Sequence, residues 1–238
     1  MNIENLKKVP AADLIYVAPS HQYPIGGILP AARRISLLQY ADEKDAYVIE
    51  DDYDSEFRYK GETLQALRNL APERVIYIGS FSKIFSPSLR IGYMIPPYPL
   101  CGPIINQMEL SNDWVNTTLQ LALAEFINQK HLDKHIYQMK KIYENKRKRL
   151  MQCITDAFGN TVKISGENAG LHLLAGFPRE FTEKDKEAVA REGLDMDFVE
   201  DYSIIKGNYK KELVLGYGEL SYAQMEEGIR RLKKALKG

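Results

Sequence analysis

The fold is decided by one stretch of the sequence, Val75-Ile76-Tyr77-Ile78-Gly79-Ser80-Phe81-Ser82-Lys83. A short apolar run that ends at a glycine is typical of a buried parallel strand that leads into a loop. Two hydroxyl side chains and a lysine follow at the point where the strand stops. Because ligands bind outside the carboxyl ends of the strands in an open α/β sheet, this stretch predicts both a strand and a site at the edge of the sheet.

Three similar runs flank this stretch, at residues 14–17, 47–49 and 90–95. The first run has no charged residue, which predicts a parallel strand that is buried on both faces. A helix is predicted over residues 33–42, because apolar residues recur there at helical spacing, at Ile35, Leu38 and Ala41. Strand, helix and strand in succession indicate a βαβ unit, and four such strands predict an α/β sheet.

Beyond Pro103 the sequence changes to long helical patterns, over residues 114–129 and 133–157. The first of these helices carries an apolar face of Leu119, Leu123, Phe126 and Ile127. Shorter strands and helices then alternate, and a capping box of Ser221 and Gln224 opens the last helix. The sequence therefore predicts an α/β large domain over residues 1–132, followed by a smaller α+β domain over residues 133–238.

The composition argues against several classes of protein. The 32 basic residues balance 32 acidic ones, so the net charge gives no general attraction to nucleic acid or to an anionic membrane. The basic run at residues 146–149 lies among apolar residues at helical spacing, which favours a solvated helix face over a DNA contact. Two cysteines predict free thiols in a reducing compartment rather than a disulfide or metal framework. No apolar stretch is long enough to span a membrane, and we expect a cytoplasmic protein.

Lys83 is the residue of greatest chemical interest in the sequence. A lysine just past a buried strand can become a nucleophile, and Schiff-base formation is its natural use. The hydroxyls of Ser80 and Ser82, together with the guanidinium of Arg90, offer a phosphate anchor beside that amine. The sequence therefore predicts a binding site for a phosphorylated carbonyl compound.

An acidic run, Glu50-Asp51-Asp52-Tyr53-Asp54, follows the predicted strand at residues 47–49. Asp51 can pair with a protonated ring nitrogen and Tyr53 can donate a hydrogen bond to a ring oxygen. A carboxylate on a pyridinium nitrogen and a lysine Schiff base are what pyridoxal phosphate (PLP) requires of a protein. Four carboxylates cannot all face one cofactor, so at least two of them are expected to belong to a solvated turn.

Three motifs resemble the PLP-dependent aminotransferases of fold type I, and in particular the aminotransferase-like part of the MocR/GabR transcriptional regulators. They are Pro19-Ser20-His21-Gln22-Tyr23-Pro24-Ile25-Gly26, Glu50-Asp51-Asp52-Tyr53-Asp54-Ser55-Glu56-Phe57, and Gly79-Ser80-Phe81-Ser82-Lys83 with Leu89-Arg90-Ile91-Gly92-Tyr93. They occur in the order and spacing of that family. Weaker similarity continues through Ala169-Gly170-Leu171-His172 and Leu215-Gly216-Tyr217.

The resemblance implies a role for each matching residue. Lys83 would form the Schiff base with PLP, Asp51 would pair with the pyridine nitrogen, and Tyr53 would contact the phenolic oxygen. The phosphate would be held by Ser80, Ser82 and Arg90. His21 lies in the loop where related aminotransferases place a ring-contacting asparagine, which makes it a candidate cofactor contact, although Gln22 beside it is an alternative. His172 is expected to be a core histidine.

The chain departs from the family in two respects. The resemblance implies a winged-helix DNA-binding domain, a linker and the first part of the aminotransferase domain before residue 1, so we expect a partial large domain that makes no DNA contact itself. Val214 stands where many aminotransferases have an arginine that grips the substrate carboxylate. The expected partners are an amino acid or other amine, as substrate or effector, and a second copy of the chain in a homodimer.

Three functions are compatible with these residues. The chain is a transaminating PLP domain, a PLP-based sensor of an amine in a transcriptional regulator, or an inactive effector-binding and dimerisation fragment without bound cofactor. A cofactor-free lysine aldolase also suits Lys83, but that reading leaves Asp51, Ser80, Ser82 and Arg90 without roles.

Overall fold

The computed structural model describes residues 2–61, 65–111 and 114–237. Its first elements are α1 (Ile3–Leu6), β1 (Leu14–Val17), α2 (Ala31–Glu43), β2 (Tyr47–Asp52), α3 (Leu67–Leu70), β3 (Val75–Ser80), α4 (Phe81–Ile84), β4 (Gly92–Ile95), α5 (Tyr98–Ser111) and α6 (Thr117–Asn128). They are followed by α7 (His131–Phe158), β5 (Lys163–Ser165), β6 (His172–Gly176), α8 (Glu183–Arg191), β7 (Asp197–Phe198), β8 (Glu212–Gly216) and α9 (Tyr222–Ala235).

These elements form two compact units. Unit 1 contains the described residues up to Gln138, apart from the short segments Tyr23–Gly26 and Phe57–Gly61. Those two segments belong with the chain from Met139 onward, in unit 2. The two-domain division at residues 132 and 133 stays a prediction, because a compact unit is not by itself an independently folding domain.

Unit 1 is built on a sheet with the strand order β1-β2-β3-β4. Strands β1, β2 and β3 are parallel, and β4 runs antiparallel to β3. The prediction of a mainly parallel α/β sheet is therefore confirmed. The last strand begins at Gly92, later than the predicted residue 90, because Arg90 closes a short 3-10 turn in the left-handed conformation (φ 51°, ψ 37°).

The prediction that β1 is buried on both faces was wrong. Ile15 and Val17 point into the core of unit 1, whereas the side chains of Leu14 and Tyr16 are 58% and 63% exposed. Side chains alternate between the two faces of a strand, and the described core covers only one face of β1. A run without charges therefore did not distinguish a strand with one covered face from one with two.

Helix α2 buries only part of the predicted face, in which Ala41 is fully buried. Arg34, Leu37 and Tyr40 are buried, whereas Ile35 is 55% exposed and Leu38 is only partly covered. The buried face contains an arginine because its guanidinium donates to three backbone carbonyl oxygens, those of Pro19, Leu29 and Gln65. A buried charge with such partners is tolerated.

Unit 2 is a four-stranded antiparallel sheet with the order β5-β6-β8-β7, covered by helices. Its core includes Leu150, Leu173, Leu213, Tyr217, Met225 and Ile229. The predicted capping box of Ser221 and Gln224 is present at the start of α9. The prediction of an α+β arrangement in this part of the chain is confirmed.

Two helices differ from the sequence-based expectation. Helix α6 begins at Thr117 after the cap Asn116, and of its predicted apolar face only Leu123 is buried. In α7, Arg147 is buried rather than solvated, because it donates to the carbonyl oxygen of Glu167 and stacks on the ring of Tyr59 at 4.6 Å. Among the residues that the structure describes, no helix is long and apolar enough to cross a membrane.

Candidate functional site

The carboxyl ends of β2 and β3 lie side by side in unit 1. Asp51 is paired in register with Ile78, and Asp52 with Gly79. One residue further along β3, the hydroxyl of Ser80 caps the short helix α4, which carries Lys83 in an exposed position. The fold therefore brings Asp51, Ser80 and Lys83 to the same edge of the sheet, as the sequence predicted from the strand ends.

Asp51 is held by a residue that the sequence analysis did not single out. The hydroxyl of Tyr16 donates a hydrogen bond to Asp51 Oδ2. Partial burial, together with the hydrogen bond to Asp51 and the charge of that carboxylate, raises the pKa of Tyr16 to about 12. Tyr16 therefore stays protonated at neutral pH, and the bond leaves Oδ1 of Asp51 for another donor.

Two carboxylates of the acidic run have structural partners. Glu50 is fully buried and accepts the backbone N–H groups of Leu67 and Arg68 at 2.8 and 2.9 Å, at the start of α3. Burial raises the pKa of Glu50, although the two backbone hydrogen bonds act to lower it. Asp52 accepts the hydroxyls of Tyr77 at 2.7 Å and Ser55 at 2.9 Å. The expectation that at least two of the four carboxylates lie in a solvated turn was wrong, because Glu50 and Asp54 are buried and Asp51 and Asp52 are partly buried.

The fourth carboxylate, Asp54, pairs with a buried histidine. Its Oδ2 lies 2.8 Å from Nδ1 of His21, and the two side chains are 3% and 0% exposed. Burial raises the pKa of Asp54, while the hydrogen bond from His21 and the charges of His21 and Lys83 act in the opposite direction. Asp54 and Tyr53 contact the imidazole in this arrangement. A ligand at the protein surface does not, because the His21 side chain is 0% exposed.

Tyr53 lies beside this pair. Its hydroxyl donates to the backbone carbonyl oxygen of His21 at 2.7 Å and lies 3.4 Å from Nδ1 of the same residue. The sequence predicts a donor for a ring oxygen at this position. In the structure the Tyr53 hydroxyl donates its hydrogen bond to the His21 carbonyl oxygen. Tyr53 can therefore donate to another acceptor only after the hydroxyl rotates.

The predicted phosphate anchor lies on both sides of Lys83. Ser80 Oγ accepts the backbone N–H of Ser82 at 3.1 Å, and the backbone N–H of Phe81 donates to the carbonyl oxygen of Ile91 at 3.0 Å. The second contact joins the Lys83 segment to the segment that carries Arg90. Arg90 itself is exposed and has a positive φ, a conformation that side-chain-bearing residues rarely adopt.

Tyr93 is a second residue that the sequence analysis missed. Its ring lies directly on Gly79, where a Cβ atom would come within 2.3 Å of Tyr93 Cζ. It also lies near the rings of Tyr77 and Phe81, at centroid distances of 6.1 and 5.5 Å. The available signal was the glycine itself, since a glycine in a strand often marks the close approach of another group.

The residues that the motifs place in unit 2 form a separate group. His172 is 7% exposed and contacts the carbonyl oxygen of Pro24 through Nε2 at 3.1 Å, as a core histidine would. Tyr23 packs edge-on against its ring at 5.1 Å and donates to Asp197 Oδ2 at 2.9 Å. Val214 is buried in β8.

Comparison with curated proteins shows close relatives along almost the whole chain, although no family model matches it. The chain is 42% identical over 224 residues to the uncharacterized HTH-type transcriptional regulator YhdI of Bacillus subtilis, covering 93% of this chain and 48% of YhdI. It is 32% identical over 228 residues to the probable rhizopine catabolism regulatory protein MocR of Rhizobium meliloti, covering 95% and 46%. The chain thus spans about half the length of these relatives.

Solved structures give the same fold. LysN, the α-aminoadipate aminotransferase of Thermus thermophilus complexed with N-(5'-phosphopyridoxyl)-L-leucine, matches with a TM-score of 0.88 and 25% identity over 99% of this chain and 61% of LysN. The kynurenine aminotransferase of Pyrococcus horikoshii, in complex with PMP, matches with a TM-score of 0.82 and 27% identity over 99% and 58%. The chain therefore belongs to the fold family of the PLP-dependent aminotransferases, and its homologues are MocR- and PdxR-type regulators and aminotransferases.

Proposed function

We propose that unit 1 binds PLP through Lys83, and that this aminotransferase-like domain senses or transaminates an amino compound. One observation carries the proposal: Asp51 lies at the carboxyl end of β2, and Lys83 follows the neighbouring parallel strand β3. Tyr16 holds one oxygen of Asp51 and leaves the other for a ligand. Sequence and fold similarity to regulators and aminotransferases supports the same assignment.

The side chains at this edge fit PLP in their chemistry. An amine suits its aldehyde, a carboxylate suits its ring nitrogen, and hydroxyls with a guanidinium suit its phosphate. These groups are supplied by Lys83, Asp51, Ser80, Ser82 and Arg90. When bound, PLP supplies an electron sink for bond cleavage at the carbon next to the amine.

The chain's own residues would divide the work as follows. The Lys83 amine would hold the cofactor covalently and, when free, would accept and return a proton at Nζ. Asp51 keeps the ring nitrogen protonated through its charge, and the Tyr16 hydroxyl orients the carboxylate. Tyr53 would donate a hydrogen bond to the phenolic oxygen in place of its bond to the His21 carbonyl oxygen.

Sensing is favoured over efficient turnover for this chain. A valine side chain cannot pair with a substrate carboxylate, and Val214 occupies the position where the resemblance leads us to look for an arginine. Several of the homologues are transcriptional regulators. Release of keto acid from a panel of amines distinguishes the two roles, because a sensor changes the cofactor spectrum without sustained turnover.

The covalent attachment is tested with Lys83→Ala and the matched variant Lys44→Ala, which removes an exposed lysine at the end of α2. Each protein is incubated with PLP, reduced with borohydride and mapped by peptide mass spectrometry. We expect a label on Lys83 in the wild type and in Lys44→Ala, and no stoichiometric label in Lys83→Ala. A label of unchanged stoichiometry in Lys83→Ala would refute the assignment.

We also propose that a second copy of the chain covers the exposed surface of unit 1 that β4 and α5 form. All four residues of β4 are exposed, with Met94 and Ile95 at 45% and 46%, and no residue of α5 (Tyr98–Ser111) is buried. An open strand edge beside exposed apolar side chains favours pairing with another chain. Sedimentation equilibrium should give a dimer that Met94→Lys dissociates, and a monomer at all concentrations in the wild type would contradict this.

A further inference from the structure

The buried pair of His21 and Asp54 has no direct part in the proposed PLP contacts. Both side chains are almost fully enclosed, and they are 2.8 Å apart. A carboxylate accepts hydrogen bonds but does not donate them, so in this contact Nδ1 of His21 is the donor and Oδ2 of Asp54 the acceptor. This pairing sets both the tautomer and the rotation of the imidazole.

The same histidine contacts Tyr53 with two of its atoms. Its carbonyl oxygen accepts the Tyr53 hydroxyl at 2.7 Å, and its Nδ1 lies 3.4 Å from that oxygen. The two rings are tilted by 37° with their centroids 6.2 Å apart. Any rotation of the imidazole or shift of its backbone therefore moves the surroundings of the Tyr53 hydroxyl.

We propose that Asp54 is a positioning residue for the hydroxyl of Tyr53 and acts through His21. This inference rests on the proposed PLP function for its consequence, but the contacts that carry it lie within the protein. In this arrangement His21 orients Tyr53 instead of touching the cofactor. Besides His21, the charged groups that act on Asp54 are Asp52, which disfavours its ionised form, and Lys83, which favours it.

The contrast between Asp54 and Asp52 provides a matched control. Both carboxylates are in the same acidic run, and each accepts a hydrogen bond from the protein, but Asp52 binds Tyr77 and Ser55 instead of His21. Asp54→Ala and Asp52→Ala therefore make the same chemical change beside different tyrosines. Asp54→Asn keeps an acceptor for Nδ1 and serves as the conservative variant.

The first measurement needs no cofactor. Tyrosine is labelled with ¹³C at the ζ carbon, the signal of Tyr53 is assigned from its loss in Tyr53→Phe, and its chemical shift reports the hydroxyl hydrogen bond. We expect Asp54→Ala to move this signal, Asp54→Asn to restore it, and Asp52→Ala to leave it in place while moving that of Tyr77. An unmoved Tyr53 signal in Asp54→Ala would overturn the proposal, even if the protein binds PLP.

The second measurement is the dissociation constant of PLP from equilibrium dialysis. We expect Asp54→Ala to weaken binding about tenfold, since it disturbs one hydrogen-bonded contact, and to have less than a twofold effect in the Tyr53→Phe background. Equal effects in both backgrounds would mean that Asp54 does not act through Tyr53. Absence of PLP binding in the wild type would refute the proposed function, while the ¹³C signal would still decide the positioning role.

A second variant covers the case in which Asp54→Ala does not fold. His21→Asn keeps an N–H donor for Asp54 and the backbone carbonyl for Tyr53, but it removes the imidazole ring. We expect the Tyr53 signal to keep its wild-type chemical shift. The PLP dissociation constant should stay within about twofold of the wild-type value. A loss of PLP binding with an unmoved Tyr53 signal would instead make His21 a direct cofactor contact and overturn the positioning role.

Discussion

Replacing Arg90 by glycine should strengthen the fold and weaken the phosphate site at the same time. Arg90 has φ 51° and ψ 37°, in the left-handed region. This conformation costs a side-chain-bearing residue roughly 1–2 kcal/mol, and glycine has no such cost. Glycine also gives the unfolded chain more freedom, which offsets about 0.4–1 kcal/mol of that gain. The difference between the two ranges is about 0–1.6 kcal/mol, and their midpoints give a net stabilisation of about 0.8 kcal/mol.

The same substitution removes the guanidinium assigned to the phosphate. A hydrogen bond to a charged group contributes about 1.5–3 kcal/mol, so PLP should bind roughly tenfold to a hundredfold more weakly. Pyridoxal, which lacks the phosphate, should bind the variant and the wild type about equally. Arg90→Ala is the control, because it removes the guanidinium but keeps a Cβ atom in the left-handed conformation.

Thermal unfolding and equilibrium dialysis measure the two effects separately. For a chain of this size each kcal/mol corresponds to about 2–4 °C, so Arg90→Gly should raise the melting temperature by about 1–4 °C and Arg90→Ala should not. Both variants should show a smaller preference for PLP over pyridoxal than the wild type does, because Ser80 and Ser82 remain. The reasoning would be refuted if Arg90→Gly melted below Arg90→Ala, or if it bound PLP as tightly as the wild type.

Two further substitutions test the electrostatics of the two units. The hydrogen bond from Arg179 holds the pKa of Asp185 below its usual range. This carboxylate therefore stabilises the folded state at pH values above its unfolded pKa of about 3.9. The contribution is lost as the pH falls below that value. Asp185→Asn should therefore lower the free energy of unfolding by about 1 kcal/mol at pH 7, as measured by urea titration. The difference from the wild type should disappear below about pH 4. The control Glu183→Gln should have little effect at either pH. In unit 1, Asp51→Asn should reduce the reactivity of bound PLP toward an added amine more than Asp54→Asn does, and stopped-flow absorbance showing equal effects would count against the assignment of Asp51 to the ring nitrogen.

Local patterns were sufficient for the parts of the fold that depend on neighbouring residues. The run from Val75 to Lys83 indicated a strand with a reactive lysine at its end, and β3 and α4 occupy that stretch. The capping box at Ser221 marked the start of α9 correctly. Such features are visible in a sequence because turns, caps and strand periodicity are set within a few residues.

Burial was harder to infer, because it depends on what packs against each face. Leu14 and Tyr16 are exposed on β1 although the run has no charge, and Arg34 is buried on α2 although it is an arginine. Arg34 is enclosed because three distant carbonyl oxygens receive its N–H groups. No property of the helix sequence by itself reveals those acceptors.

The sequence by itself determined the class of the sheet, and it predicted which residues carry chemistry at the sheet edge, namely Lys83, Asp51 and Arg90. Only the tertiary structure decided which groups support them. Tyr16 reaches Asp51 across 35 residues of sequence, and His21 reaches Asp54 across 33. These pairs arise because parallel strands place their carboxyl ends and the following loops at one edge of the sheet, and the register of those strands depends on packing between segments far apart in the chain.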